Sequence, residues 1–148
     1  MVSMHFGTEY TLEQTMEQEQ IAAYLASLNV DIVIGHHPHV IEPITYMGNT
    51  LVIYSLGNFI SGQLTTDQLT GVMVGIDIIK ENNDSKIRLE NLNAELIYTQ
   101  THNLTTQKFE YHVIPYNALS EEILADKDIH KEKYASVLTS LGTQINIK

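Results

Sequence analysis

The sequence predicts an α/β fold, and three observations carry that expectation. Ile32, Val33 and Ile34 form an unbroken β-branched run ahead of Gly35, the pattern of a strand buried on both faces of a sheet. Residues 1–4 make a second, shorter strand candidate, and the segment between the two carries helical signals, so the order is strand, helix, strand. From residue 70 onward, long strand-like runs separated by polar turns predict antiparallel pairing.

The helix is expected to start near Thr11. Thr11-Leu-Glu-Gln14 fits a capping box, in which the hydroxyl and the amide satisfy each other's end groups. Met16, Ile21, Tyr24, Leu25 and Leu28 form the expected apolar stripe, Glu13, Glu17 and Glu19 the wet face, and Asn29 the stop. A polar turn at Gly48-Asn49 precedes a buried strand over residues 51–55, which Leu56-Gly57-Asn58-Phe59 closes.

Residues 71–79 read as a strand, and Glu81-Asn-Asn-Asp-Ser85 as a hairpin turn by composition. Ile87, Leu89, Leu96 and Tyr98 continue it as long antiparallel strands. Phe109, Tyr111 and Val113 alternate with Glu110 and His112, which predicts a half-exposed strand ending at Pro115. Ile123 and Leu124, then Tyr134, Val137, Leu138 and Leu141, predict two short helices separated near Asp128 and stopped at Gly142. At 148 residues the chain is expected to be one unit: a motif region over residues 1–60, a β-rich part over 70–115 and a helical tail over 118–142.

A formal net charge of −10 with a pI near 4.9 argues against a nucleic-acid partner, whose phosphates such a surface repels. The chain has no cysteine, so any metal must be held by nitrogen and oxygen. No apolar run approaches the roughly 20 residues that span a bilayer, so this chain by itself is expected to be soluble.

The chemistry concentrates after the first two strands. Gly35 is read as the residue that lets the backbone turn, and His36, His37 and His39 follow it around Pro38, which stiffens the loop. Parallel strands expose their C-terminal ends along one sheet edge, so His5 and the later histidines are expected to converge there. Glu9 reads either as a partner of a histidine ligand or of substrate, or as a solvated, helix-capping carboxylate. Asn58 reads either as a turn residue or as a ligand. His102, His112 and His130 are expected at the surface, and Met1, Met4, Met16, Met47 and Met73 in the core or in strands.

With His5-Phe-Gly-Thr-Glu9-Tyr10, Gly35-His-His-Pro-His39-Val40 and Tyr54-Ser-Leu-Gly-Asn58-Phe59, the sequence resembles the CapA family of bacterial capsule and poly-γ-glutamate synthesis proteins. That family in turn resembles the calcineurin-like metallophosphoesterases. The resemblance is specific over about residues 1–59. It implies the C-terminal half of a four-layer α/β/β/α sandwich, with the early aspartate, asparagine and histidine motifs lying before Met1.

By resemblance His5 takes the place of the family's lone histidine and His37-Pro38-His39 that of its paired His-x-His. The extra residue after Gly35 leaves either His36 or His37 as the ligand. The implied cofactor is a divalent metal, Mn, Zn or Fe, with two ions in a complete protein and with His5 and His37 as catalytic groups. The implied function is assembly, export or anchoring of an anionic surface polymer such as poly-γ-glutamate, at the outer face of the cell membrane and alongside other capsule-synthesis membrane proteins. A non-catalytic polymer- or partner-binding module, or an inactive structural fragment, is the alternative. Strands left without neighbours are expected to make the chain self-associate.

Overall fold

The computed structural model describes residues 1–80, 87–105 and 108–148. The expected turn at Glu81-Asn-Asn-Asp-Ser85 lies outside the described residues. The architecture is α/β, with one mixed sheet, a second sheet that is mainly antiparallel, and few helices.

The first sheet has the order β1-β2-β4-β3, built from β1 Val2–His5, β2 Ile32–His36, β3 Ile44–Met47 and β4 Thr50–Ile53. β1, β2 and β4 run parallel, and β3 returns antiparallel to β4 through the Gly48-Asn49 turn. The alternation of their side chains divides two cores. Ile32, Leu51 and Ile53 face the second sheet, whereas Val33, Val52 and Tyr54 pack with Phe6 and Ala22 under helix α1, Met16–Ser27.

The second sheet contains β5 Thr70–Lys80, β6 Ile87–Thr105 and β7 Lys108–Pro115, with the short β8 Asn146–Ile147 parallel to β6. Val72, Ala94, Leu96 and Tyr98 bring its inner face into the larger core. Helix α3, Lys127–Thr139, closes that core with Tyr134 and Leu138, both fully buried. Leu119 and Leu124 join them from the irregular segment ahead of it. A single-turn helix α2, Thr66–Leu69, leads into β5.

Several expectations are corrected. Helix α1 is capped by Thr15, not Thr11: Thr15 and Gln18 form the same reciprocal box four residues later. Gln18 decides this, because its carbonyl accepts from the Thr15 N–H at 2.7 Å while its amide donates to buried Glu42 at 2.6 Å, so the cap is tied into the core. Met16, Tyr24 and Leu28 therefore lie at the surface, and the helix buries Gln18 and Ala22. Met1 is exposed as well.

Gly35 lies inside β2 and makes no turn. A Cβ there would stand 1.8 Å from the Tyr54 carbonyl oxygen and 2.6 Å from Phe6, so close packing is what requires glycine. β3 and α2 are unforeseen elements, too short to show a period. The tail holds one α-helix, since residues 119–126 form turns and Asp128 lies in the first turn of α3. β7 does not bury its expected face either: Phe109 and Tyr111 are exposed along with Glu110 and His112, because that end of the hairpin lies beyond the core. No helix is long and apolar enough to cross a membrane among the described residues.

Candidate functional site

Three loops meet at the C-terminal ends of β1, β2 and β4. β1 and β2 pair in register with His5 opposite His36, and the Phe6 N–H donates to the His36 carbonyl at 3.1 Å. The Tyr10 N–H then donates to the Pro38 carbonyl at 2.8 Å, so the loop after β1 is fastened to the loop after β2 by main-chain bonds. The expected convergence is present: the rings of His5 and His37 lie 4.5 Å apart between centroids, and those of His37 and His39 6.3 Å.

The backbone adopts costly conformations to achieve this. His37 has φ 108°, His39 φ 59° and Tyr10 φ 65°, a region L-residues enter at about 1–3 kcal/mol each. Three such residues in one loop pair show that the surroundings fix the loops firmly. Burial of Pro38, Val40 and Ile41 supplies the anchoring.

Asn58, from the loop after β4, holds the second histidine. Its Oδ1 lies 3.0 Å from His39 Nδ1, and its amide nitrogen is 3.1 Å from the His39 carbonyl and 2.9 Å from that of Gln68. Ser61 and Gln63 place two further oxygens at 3.3 and 3.0 Å. Two carbonyl oxygens beside Nδ2 fix which way the amide points, since its own oxygen there would be repelled. Oδ1 must then accept from His39. A neutral His39 therefore carries its proton on Nδ1 and keeps the Nε2 lone pair for a ligand.

The other candidates fall differently. His36 is exposed at the end of β2 and makes no ring contact with the cluster, so His37 is the residue that joins His5 and His39. Glu9 is exposed in its loop, and no hydrogen bond joins it to the imidazoles among the described residues. His102 and His112 are exposed, as expected, and His130 is half-buried against Tyr134.

Tyr10 and Gln63 were not foreseen. Tyr10 stacks on His39 at 6.1 Å, and Gln63 bridges Asn58 to the Tyr10 hydroxyl at 3.5 Å. A glutamine 53 positions away from its partner gives no signal in sequence.

The donor set is nitrogen-rich: three imidazoles and no carboxylate. Among the described residues, no group of three or more histidine or acidic side chains is arranged to hold a metal ion by itself. What the loops do offer is a pair of adjacent imidazoles and a third of fixed tautomer, which suits part of a divalent cation's coordination shell.

Comparison with known proteins falls on these loops. Residues 1–63 match the family model described as bacterial capsule synthesis protein PGA_cap. Over 63 residues the chain is 43% identical to the PGA biosynthesis protein CapA of Bacillus subtilis (strain 168), which covers 43% of this chain and 17% of that protein. It is 36% identical over 63 residues to the capsule biosynthesis protein CapA of Bacillus anthracis, covering 43% of this chain and 15% of that protein. The match thus spans less than a fifth of either relative. No solved structure matches the chain. The resemblance read from the three motifs holds over residues 1–63, and residues 64–148 lie outside it.

Proposed function

We propose, on the premise that residues 1–63 are similar to bacterial capsule synthesis proteins, that this chain carries part of a metal centre used in handling an anionic surface polymer. The polymer of this reading is poly-γ-glutamate, in keeping with the abbreviation PGA in the name of one relative, and its place of action is the outer face of the cell, with other capsule-synthesis membrane proteins as partners. The observation that supports this is the contact of His5 with His37, 4.5 Å between rings, beside a His39 whose Nε2 is left free by Asn58. On this reading the first sheet and its helix are half of a metallophosphoesterase-like sandwich.

His5 and His37 would hold one face of a divalent ion, Mn, Zn or Fe, with His39 as the neighbouring imidazole; a second ion would need carboxylates that this cluster does not contain. Such an ion supplies electrostatic stabilisation of an oxyanion and bridges carboxylates of a polyanion to an acidic protein. This chain's own part is to hold the imidazoles in one tautomer and orientation. Tyr10 and Pro38 fasten the loops so that the nitrogens do not reorganise on binding.

Titrating zinc or manganese into the intact chain by calorimetry tests the reading. The expected result is one ion per chain at neutral pH, with affinity reduced at least tenfold in His5→Ala and in His37→Ala and unchanged in His36→Ala. Equal affinity in all three variants would overturn it. The absence of a carboxylate from the cluster favours a second reading, a polymer-binding module without hydrolysis. Retained metal-dependent binding of poly-γ-glutamate, with no turnover of a generic phosphodiester, would decide for the module.

A further inference from the structure

The loop that delivers Asn58 runs from the end of β4 to the start of β5. It is pinned at its base, where Gly57 bridges Gly71 and the Val72 N–H donates to the Leu56 carbonyl at 2.9 Å. Its far side is α2, a helix of four residues that fully buries none of its side chains. A single turn does not sustain itself in water, so what sets its place must come from outside it.

Those ties come from the C-terminal part of the chain. Asp67 Oδ1 accepts from Lys133 Nζ and from the Tyr134 hydroxyl, both at 2.6 Å, so two donors of α3 hold one oxygen of α2. The Tyr134 ring is fully buried, edge-on to Tyr116 at 6.0 Å and stacked with His130 at 6.2 Å. At the other end of α2 the Thr70 hydroxyl donates to the Thr66 carbonyl at 2.8 Å and, with its proton so used, accepts from the Tyr116 hydroxyl at 2.8 Å. Between these two anchors stands Gln68, whose carbonyl oxygen lies 2.9 Å from Asn58 Nδ2.

We propose that Tyr134 and Lys133 are positioning residues for His39, acting through Asp67, α2 and the Gln68 carbonyl on the orientation of the Asn58 amide. That amide points one way because the carbonyls of His39 and Gln68 both face its nitrogen. The His39 carbonyl belongs to the histidine loop itself, so the Gln68 carbonyl is the reference fixed from another part of the fold. Release of α2 withdraws it, and turning the amide over then costs less. Turned over, Asn58 offers an N–H to His39 Nδ1, and a neutral ring must carry its proton on Nε2. The nitrogen left free for a ligand is then blocked. Asp67, Gln68, Lys133 and Tyr134 all lie outside residues 1–63, the segment similar to capsule synthesis proteins, so the remainder of the chain orients a loop of that segment. The use of His39 rests on the metal reading, but its tautomer does not and is read without metal.

The test measures the ring-nitrogen chemical shifts of His39 in the whole, metal-free chain at about pH 8.5, where an ordinary imidazole is neutral. Tyr134→Phe keeps the buried ring and Lys133→Met keeps the stem. In the double variant the ratio of Nδ1-protonated to Nε2-protonated His39 should fall about fivefold, the weight of roughly one hydrogen bond. Tyr134→Phe alone, the milder change, should shift it less and in the same direction, and Lys133→Arg with Tyr134→Phe should restore most of the single variant's ratio. Lys131→Met removes a different tie of α3, to Asn117, and should leave the ratio unchanged. An unchanged ratio in the folded double variant would overturn the proposal, as would an equal shift in Lys131→Met, since general loosening of α3 would then be the cause. A ratio that responds as expected in a chain whose loops bind no zinc would support the role of α3 and remove the metal reading alone.

Discussion

His39 Nδ1 lies 3.0 Å from Asn58 Oδ1, and the Asn58 amide nitrogen lies 2.9 Å from the Gln68 carbonyl. One side chain thus sets the tautomer of a loop histidine and ties that loop to the turn ahead of β5. Asn58→Ala should cost about 1–2 kcal/mol in urea unfolding, because the half-buried carbonyls of His39 and Gln68 lose their donor. Asn58→Asp should instead retain much of the acceptor function toward His39 while repelling the two carbonyls. In both variants, nitrogen chemical shifts of His39 report the tautomer. Wild type should show the proton on Nδ1, and Asn58→Ala a mixture of the two forms.

Glu42 is fully buried, with Oε2 bonded to the Gln18 amide and Oε1 without a partner among the described residues. Burial pushes its carboxyl up to about 7 from an ordinary value of 4.5, and the Gln18 bond opposes this only in part. The folded chain therefore holds a proton that the unfolded chain releases between about pH 4.5 and 7. This group's contribution to stability is greatest below the lower value and falls as pH rises through that window, by about 3 kcal/mol. Glu42→Gln should remove that slope, leaving stability nearly unchanged at pH 4.5 and raised at pH 8. Denaturant midpoints across pH 4.5–8 check it.

The first half of the fold was legible where a residue's local signal and its tertiary role coincide. The run Ile32, Val33 and Ile34 is apolar because both faces are covered, and the strand order placed His5 beside the later histidines without any contact being known. Legibility failed where tertiary contacts chose between equivalent local signals. Thr11 and Thr15 both begin a capping pattern, and the bond from Gln18 to Glu42 selects the second. Gly35 shows the same limit. A glycine needed for a turn and a glycine needed for the close approach of Tyr54 read alike in sequence. Of the site, the histidines were visible, whereas Tyr10 and Gln63 owe their places to loop packing that has no periodic trace.

Asp67 joins α2 to α3 by accepting from Lys133 Nζ at 2.6 Å and from the Tyr134 hydroxyl at 2.6 Å. Partial burial alone would raise its carboxyl, but these two bonds and the nearby charges outweigh that and hold it below its ordinary range. The folded state therefore binds this proton less readily than the unfolded one. Its contribution is complete above about pH 4 and is lost as pH falls through the folded value. Asp67→Asn should cost about 1 kcal/mol at pH 7, a small figure because about a third of the side chain meets water. Its effect should vanish once the pH lies below the folded value. Because Gln68 follows Asp67 directly, the variant should also broaden the Asn58 amide resonances.

Gly35 carries the sharpest steric prediction. A methyl group there would stand 1.8 Å from the Tyr54 carbonyl oxygen and 2.7 Å from its carbon, atoms of a backbone that is buried and hydrogen-bonded. Neither strand can yield without opening the β2 and β4 pairing on which the histidine loop stands. Gly35→Ala should therefore cost about 3 kcal/mol or more, a large share of the roughly 5–15 kcal/mol that keeps a typical domain folded. At Gly48, where φ is 62° and no atom lies within 4 Å of a built Cβ, alanine should cost only the strain of a left-handed residue, about 1 kcal/mol. Circular dichroism melts of the two variants side by side separate crowding from conformational strain. Comparable melting of both would contradict the packing assigned to Gly35.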